Sequence, residues 1–117
     1  MGDGHGVQGD GEVCVTALET ALTGTFTIVL HKSKSGRLLE LPRAETPTHY
    51  LSMGFHSDLD QAMRIAVREM ISFICSRRNL SREQAYQLCS LAVDFHITQA
   101  VNGEKGVHGL LPKHLLS

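Results

Sequence analysis

The spacing of apolar positions changes character along the chain and divides it into three zones. The first, Met1–Glu12, has no periodicity and carries five glycines. The second, Val13 to Phe55, reads as strands. Val13–Glu19 and Thr25–Leu30 are rich in β-branched residues, with a turn at Thr23-Gly24 between them. A further turn falls at Lys34-Ser35-Gly36. Leu38–Leu41 is a short strand closed by Pro42, and Thr48–Phe55 is another, with Pro47 where no ladder donor is needed.

The third zone begins as helix. Leu59, Ala62, Met63, Ala66, Val67, Met70, Ile71, Ile74 and Cys75 recur at spacings of three and four, predicting a helix over Asp58 to Arg78 with one apolar stripe. Ser57 is its expected N-cap, with Asp60 three residues on. The stripe makes Met63, Met70 and Cys75 core residues. The capping box Ser81-Arg82-Glu83-Gln84 opens a second helix carrying Ala85, Leu88, Cys89 and Ala92, and Arg78-Asn79-Leu80 links the two. Val93–Val101 returns to a mixed pattern, Asn102-Gly103 signals a hairpin, and Val107–Leu111 is a last strand before Pro112. Strands, a helix pair, then strands describe a single α+β domain over residues 1–117, with antiparallel strands and a helical hairpin packed on one face.

Composition narrows the function classes. A net charge of -1 supplies no global field for nucleic acid or an anionic membrane, and the absence of Trp with only two Tyr and four Phe removes base-stacking platforms. No apolar run approaches the ~20 residues of a membrane span. Three widely separated cysteines, Cys14, Cys75 and Cys89, make no disulfide framework. Reduced, buried thiols in a cytoplasmic protein are the simplest reading. Arg77, Arg78 and Arg82 cluster near the helix link as in a DNA-reading helix-turn-helix, but the first helix is too long and no basic face accompanies them.

The candidate chemistry lies in Gly2-Asp3-Gly4-His5-Gly6-Val7-Gln8-Gly9-Asp10-Gly11-Glu12. One imidazole and three carboxylates fall within ten residues, among glycines that allow tight turns. Such donors suit a divalent ion such as zinc, which can lower the pKa of bound water to about 7 and polarise a carbonyl. The plainer alternative is a glycine-rich terminus whose acids are merely solvated. The literal G-x-G-x-x-G at Gly4, Gly6 and Gly9 lacks the preceding strand and following helix of a dinucleotide site.

The same stretch resembles the signature of the acetamidase/formamidase family, a Gly-Asp, a His two further on and a Gly-Asp-Gly-Glu. More blocks follow in the family's order: Glu45-Thr46-Pro47-Thr48-His49-Tyr50, Met53-Gly54-Phe55, Asp58-Leu59-Asp60-Gln61-Ala62-Met63, Leu80 to Tyr86 with Cys89-Ser90, Thr98-Gln99 and Gly106-Val107-His108. They span nearly the whole chain. The resemblance implies hydrolysis of formamide, acetamide or similar amides, a divalent metal and a homo-oligomer. It makes Asp3 and His5 metal-site candidates, and Asp10 and Glu12 further candidates as ligand or catalytic acid/base. Glu45 becomes a catalytic candidate facing the cleft, whose plainer alternative is a solvent-facing rim charge. Gly6 stands where relatives have alanine. Family enzymes are longer, with a β-rich region before this motif, so the resemblance implies the C-terminal part of a two-part site. The alternative is an inactive fragment or an oligomerisation module of the same fold.

Elsewhere the sequence offers little chemistry. His49 shares the strand entry with Glu45, and His56 reads as a turn residue. His108 reads as a satisfied or exposed strand residue, and His31, His96 and His114 share no metal-like spacing. Cys89, like Cys75, lies on an apolar helix face and reads as packing.

Overall fold

A computed structural model describes residues 4–30, 32 and 39–116. It contains a small sheet of β1 (Gly4–Val7) and β2 (Leu18–Thr20), then β3 (Arg43–Glu45) and β4 (His49–His56). The helices α1 (Leu59–Arg77) and α2 (Arg82–Ala92) follow, then β5 (Asp94–Gln99), β6 (Lys105–Pro112) and a 3-10 turn at Lys113–Leu116. The main sheet has the order β3-β4-β6-β5, antiparallel throughout, with the helix pair inserted between β4 and β5. This is the α+β arrangement expected.

Register explains where the core sits. Residues of β4 and β6 alternate faces, and Ser52, Gly54, Val107 and Leu111 turn inward to meet α1. From the helix, Ala62, Ala66, Met70 and Ile74 present a fully buried row at four-residue spacing. Met70, Ile71 and Ile74 join Ala85 and Cys89 of α2 with Val93 and Leu111 in one cluster. The row starts with alanines because the helix there lies almost on the strand. A Cβ on Gly54 would fall 2.3 Å from the Ala62 carbonyl oxygen and 2.4 Å from the Ala66 nitrogen. Beside it the buried Ser52 hydroxyl donates to the Ala66 carbonyl at 3.0 Å, which satisfies this polar side chain within the core.

Several local expectations are corrected. Asp58, not Ser57, caps α1: its Oδ1 accepts from the Gln61 N–H at 2.9 Å, while its own N–H donates to His56 Nδ1 at 2.9 Å. That His56 contact sets the turn and moves the cap by one residue. The Ser81–Gln84 capping box is present as expected. Met63 is 37% exposed and lines a groove of about 510 Å³ with Val67, Tyr86 and Cys89, rather than filling the core. Of Val13–Glu19 only its end joins β2, and 21–30 contains no strand. Among the described residues no second layer covers the β-branched side chains there; Ile28 is 93% exposed. The turn at Lys34-Ser35-Gly36 lies outside the described residues, as does Leu38; 39–41 are not strand. Instead the chain pairs after Pro42, where Arg43 reaches Glu69 of α1 at 3.0 Å.

Two of the three arginines near the helix link are used internally, and Arg82 is exposed. Arg77 lies over the Tyr50 and Phe73 rings, and Arg78 donates to the Leu116 carbonyl. No described helix is long and apolar enough to cross a membrane.

The thiols of Cys14 and Cys89 differ sharply. Burial first, and the neighbouring Cys75 second, push the Cys89 thiol up to about 11. Cys14, expected to be buried, is exposed, and hydrogen bonding with Thr16 lowers its pKa. Only the thiolate is alkylated. Iodoacetamide at mildly alkaline pH is therefore expected to label Cys14 first and Cys89 only on unfolding, read by peptide mass spectrometry. Equal labelling of both in the folded chain would contradict this packing.

Candidate metal centre

Strands β5 and β6 form a hairpin whose register sets His96 directly opposite His108. Directly opposed residues project to the same face. Both imidazoles therefore leave the sheet on the side away from the helices, since Val107 and Gly109, the alternate positions, are the buried ones. The rings stack with centroids 5.4 Å apart and planes inclined by 11°.

Asp10 reaches this pair from the glycine segment. Its Oδ2 lies 3.3 Å from His96 Nδ1 and 3.9 Å from His108 Nε2. The turn that delivers it closes with the Glu12 N–H donating to the Gly9 carbonyl at 3.4 Å. Gly11 has φ +100 and Glu12 φ +33. Glycine takes such a conformation freely, whereas a side chain at Glu12 is strained by it. Glu12 is held from the hairpin side: its carbonyl accepts from the Val101 N–H at 3.2 Å, and its carboxylate accepts from Asn102 Nδ2 at 3.1 Å.

Among the described residues, Asp10, His96 and His108 are the group whose ligand atoms lie within 4.8 Å of one another. Tetrahedral zinc with bonds of 2.0–2.2 Å needs ligand atoms about 3.4 Å apart. The separations of 3.3 and 3.9 Å straddle that value. Two imidazoles and a carboxylate are a set zinc accepts, and three protein donors leave a coordination position for water or substrate. Thr98 completes the fit: its hydroxyl is 2.7 Å from His108 Nδ1. With the proton on Nδ1 donated to that oxygen, Nε2 keeps its lone pair on the Asp10 side. The residues present fit a divalent ion.

The residues singled out from sequence are distributed as follows. Asp3 lies outside the described residues. His5 stands on β1 with Nδ1 3.0 Å from Gln8 Oε1, and it is not one of the trio. Asp10 is in the trio, and Glu12 is two residues on, engaged by Asn102. Glu45 pairs with Tyr50, so its side chain belongs to the helix-bearing face, opposite the imidazoles. Its carboxylate accepts from Lys113 at 2.5 Å, and that hydrogen bond holds it below the ordinary carboxylate range.

His96 and His108 were not among the residues assigned a role from sequence. The signal that could find them is the Asn102-Gly103 turn. Each histidine lies six residues from Asn102, so closing that hairpin sets them face to face despite a bulge between Ile97 and Gln99.

A family model described as Acetamidase/Formamidase family matches residues 1–114. Solved structures agree. Acetamidase from Bacillus halodurans is 28% identical with a TM-score of 0.72, over 95% of this chain and 37% of that one. Acetamidase from Yersinia enterocolitica is 28% identical with a TM-score of 0.80, over 97% and 33%. A predicted acetamidase/formamidase from the thermophile Thermoanaerobacter tengcongensis is 26% identical with a TM-score of 0.76, over 96% and 36%. The chain thus spans about a third of the length of these structures. No curated protein gives a significant match.

Proposed function

The chain belongs to the acetamidase/formamidase family, and from that premise we propose that it carries the cation-holding part of a site that hydrolyses short amides such as formamide and acetamide. The observation that carries this reading is the convergence of Asp10, His96 and His108. In such a reaction water adds to the amide carbonyl carbon, the C–N bond breaks, and acid and ammonia leave. A divalent ion such as zinc, when bound, supplies Lewis acidity to the carbonyl and to water.

This chain's own residues do the holding and orienting. Asp10 contributes the negative charge, and the two imidazoles contribute neutral donors. Thr98 fixes the ring of His108. Asp3 and His5, upstream on the same glycine-rich segment, are the further donors that the family signature brings. Three free thiols suit the cytoplasm as the working compartment.

A second reading, an association module of the same fold without turnover, is favoured by a different observation. Val13, Val15, Phe26, Ile28 and Leu30 are 66–93% exposed, apolar surface of the kind that homo-oligomers cover. One assay separates the two. Ammonia release from formamide and acetamide is expected with added zinc and is expected to stop with chelator. Absence of release under every metal condition would overturn the hydrolytic reading for this chain and leave association, measured by sedimentation, as its role.

A further inference from the structure

Asp10 is exposed and belongs to no strand or helix, yet it must arrive at two imidazoles fixed on the sheet. Glu12 is the residue through which its turn meets the hairpin. The backbone carbonyl of Glu12 accepts from the Val101 N–H and its carboxylate from Asn102 Nδ2, at 3.2 and 3.1 Å. Asn102 is itself braced, because Lys105 Nζ donates to its carbonyl at 2.6 Å. A side chain kept at φ +33 indicates that these contacts over-determine the turn.

We propose that Glu12 and Asn102 form a latch that positions Asp10 against His96 and His108, making Glu12 a positioning residue rather than a cation ligand or proton carrier. The proposal rests on the cation site described above. Its physical basis is preorganisation: a donor held in place by neighbouring hydrogen bonds does not lose conformational freedom again when the ion binds. The latch needs only an acceptor oxygen at position 12, not a negative charge, because Asn102 offers an uncharged amide donor. The amide of glutamine can therefore replace the carboxylate.

The test uses the full chain and four variants, Glu12→Ala, Glu12→Gln, Asn102→Ala and the double Glu12→Ala/Asn102→Ala. Zinc affinity is measured by competition with a chromophoric chelator, with circular dichroism to confirm folding. Glu12→Ala and Asn102→Ala are each expected to weaken zinc by about 10- to 100-fold. The double variant should be no weaker than the worse single, and Glu12→Gln should stay within about threefold of the parent. A Glu12→Gln as weak as Glu12→Ala, with Asn102→Ala unchanged, would make Glu12 a ligand and overturn the latch. A metal-free measurement tests the latch even if the parent binds no zinc, a result that would sink the cation site alone. Hydrogen exchange of the Val101 amide should quicken by about fivefold in Asn102→Ala. Unchanged exchange there would overturn the latch whatever zinc does.

Discussion

Gly54→Ala is expected to lower the thermal midpoint of the domain by at least about 10 °C, measured by circular dichroism. The added methyl would meet the Ala62 carbonyl oxygen at 2.3 Å and the Ala66 nitrogen at 2.4 Å. Both are backbone atoms of a hydrogen-bonded helix and cannot rotate away. Helix α1 must lift off β4, which separates Ala62 and Ala66 from the sheet and lengthens the Ser52 hydrogen bond to Ala66. Overpacking a core costs about 1–3 kcal/mol, more when backbone must move. That is a large part of a total stability of roughly 5–15 kcal/mol. A midpoint within about 2 °C of the parent would show that helix and strand do not meet here.

His108→Ala is expected to weaken zinc by more than about 100-fold, beyond the loss from an outer-shell partner. It removes a donor and the ring on which His96 stacks, while Thr98 loses its partner. His96→Ala should act in the same direction. Glu45→Gln serves as the control, because that carboxylate projects from the other face and is taken up by Lys113. Chelator competition gives the affinities. Equal affinity in the parent and both histidine variants would remove the proposed site, since an ion held by Asp10, His96 and His108 must bind more weakly when either imidazole is lost.

How far the chain can be read without coordinates depends on which interactions decide each element. The helices are legible because their signals are local: a stripe at spacings of three and four, and a capping box formed by Ser81 and Gln84. The strands of the second zone are less so. Thr25–Leu30 has strand composition and no strand, because a ladder also needs a neighbour and a covering layer. Arg43–Glu45 lacks strand composition, yet pairs, because β4 offers it an edge and Glu69 an ion pair. The site divides in the same way. Asp10 stands out in its glycine-rich segment, whereas His96 and His108 acquire meaning only when the hairpin closes. Pairwise register, not spacing along the chain, brings them together.

The stretch Phe26-Thr27-Ile28-Val29-Leu30 carries no charge and no proline, and its large side chains are 64–93% exposed. Short uncharged segments of high strand propensity are the units that stack into cross-β zippers. Glu19 is the nearest described acid before it and Lys32 the nearest described base after it, so its gatekeepers stand outside the segment rather than within it. Left bare, this is the part of the polypeptide from which fibrillar aggregation would start, and a single lysine at Ile28 would interrupt it.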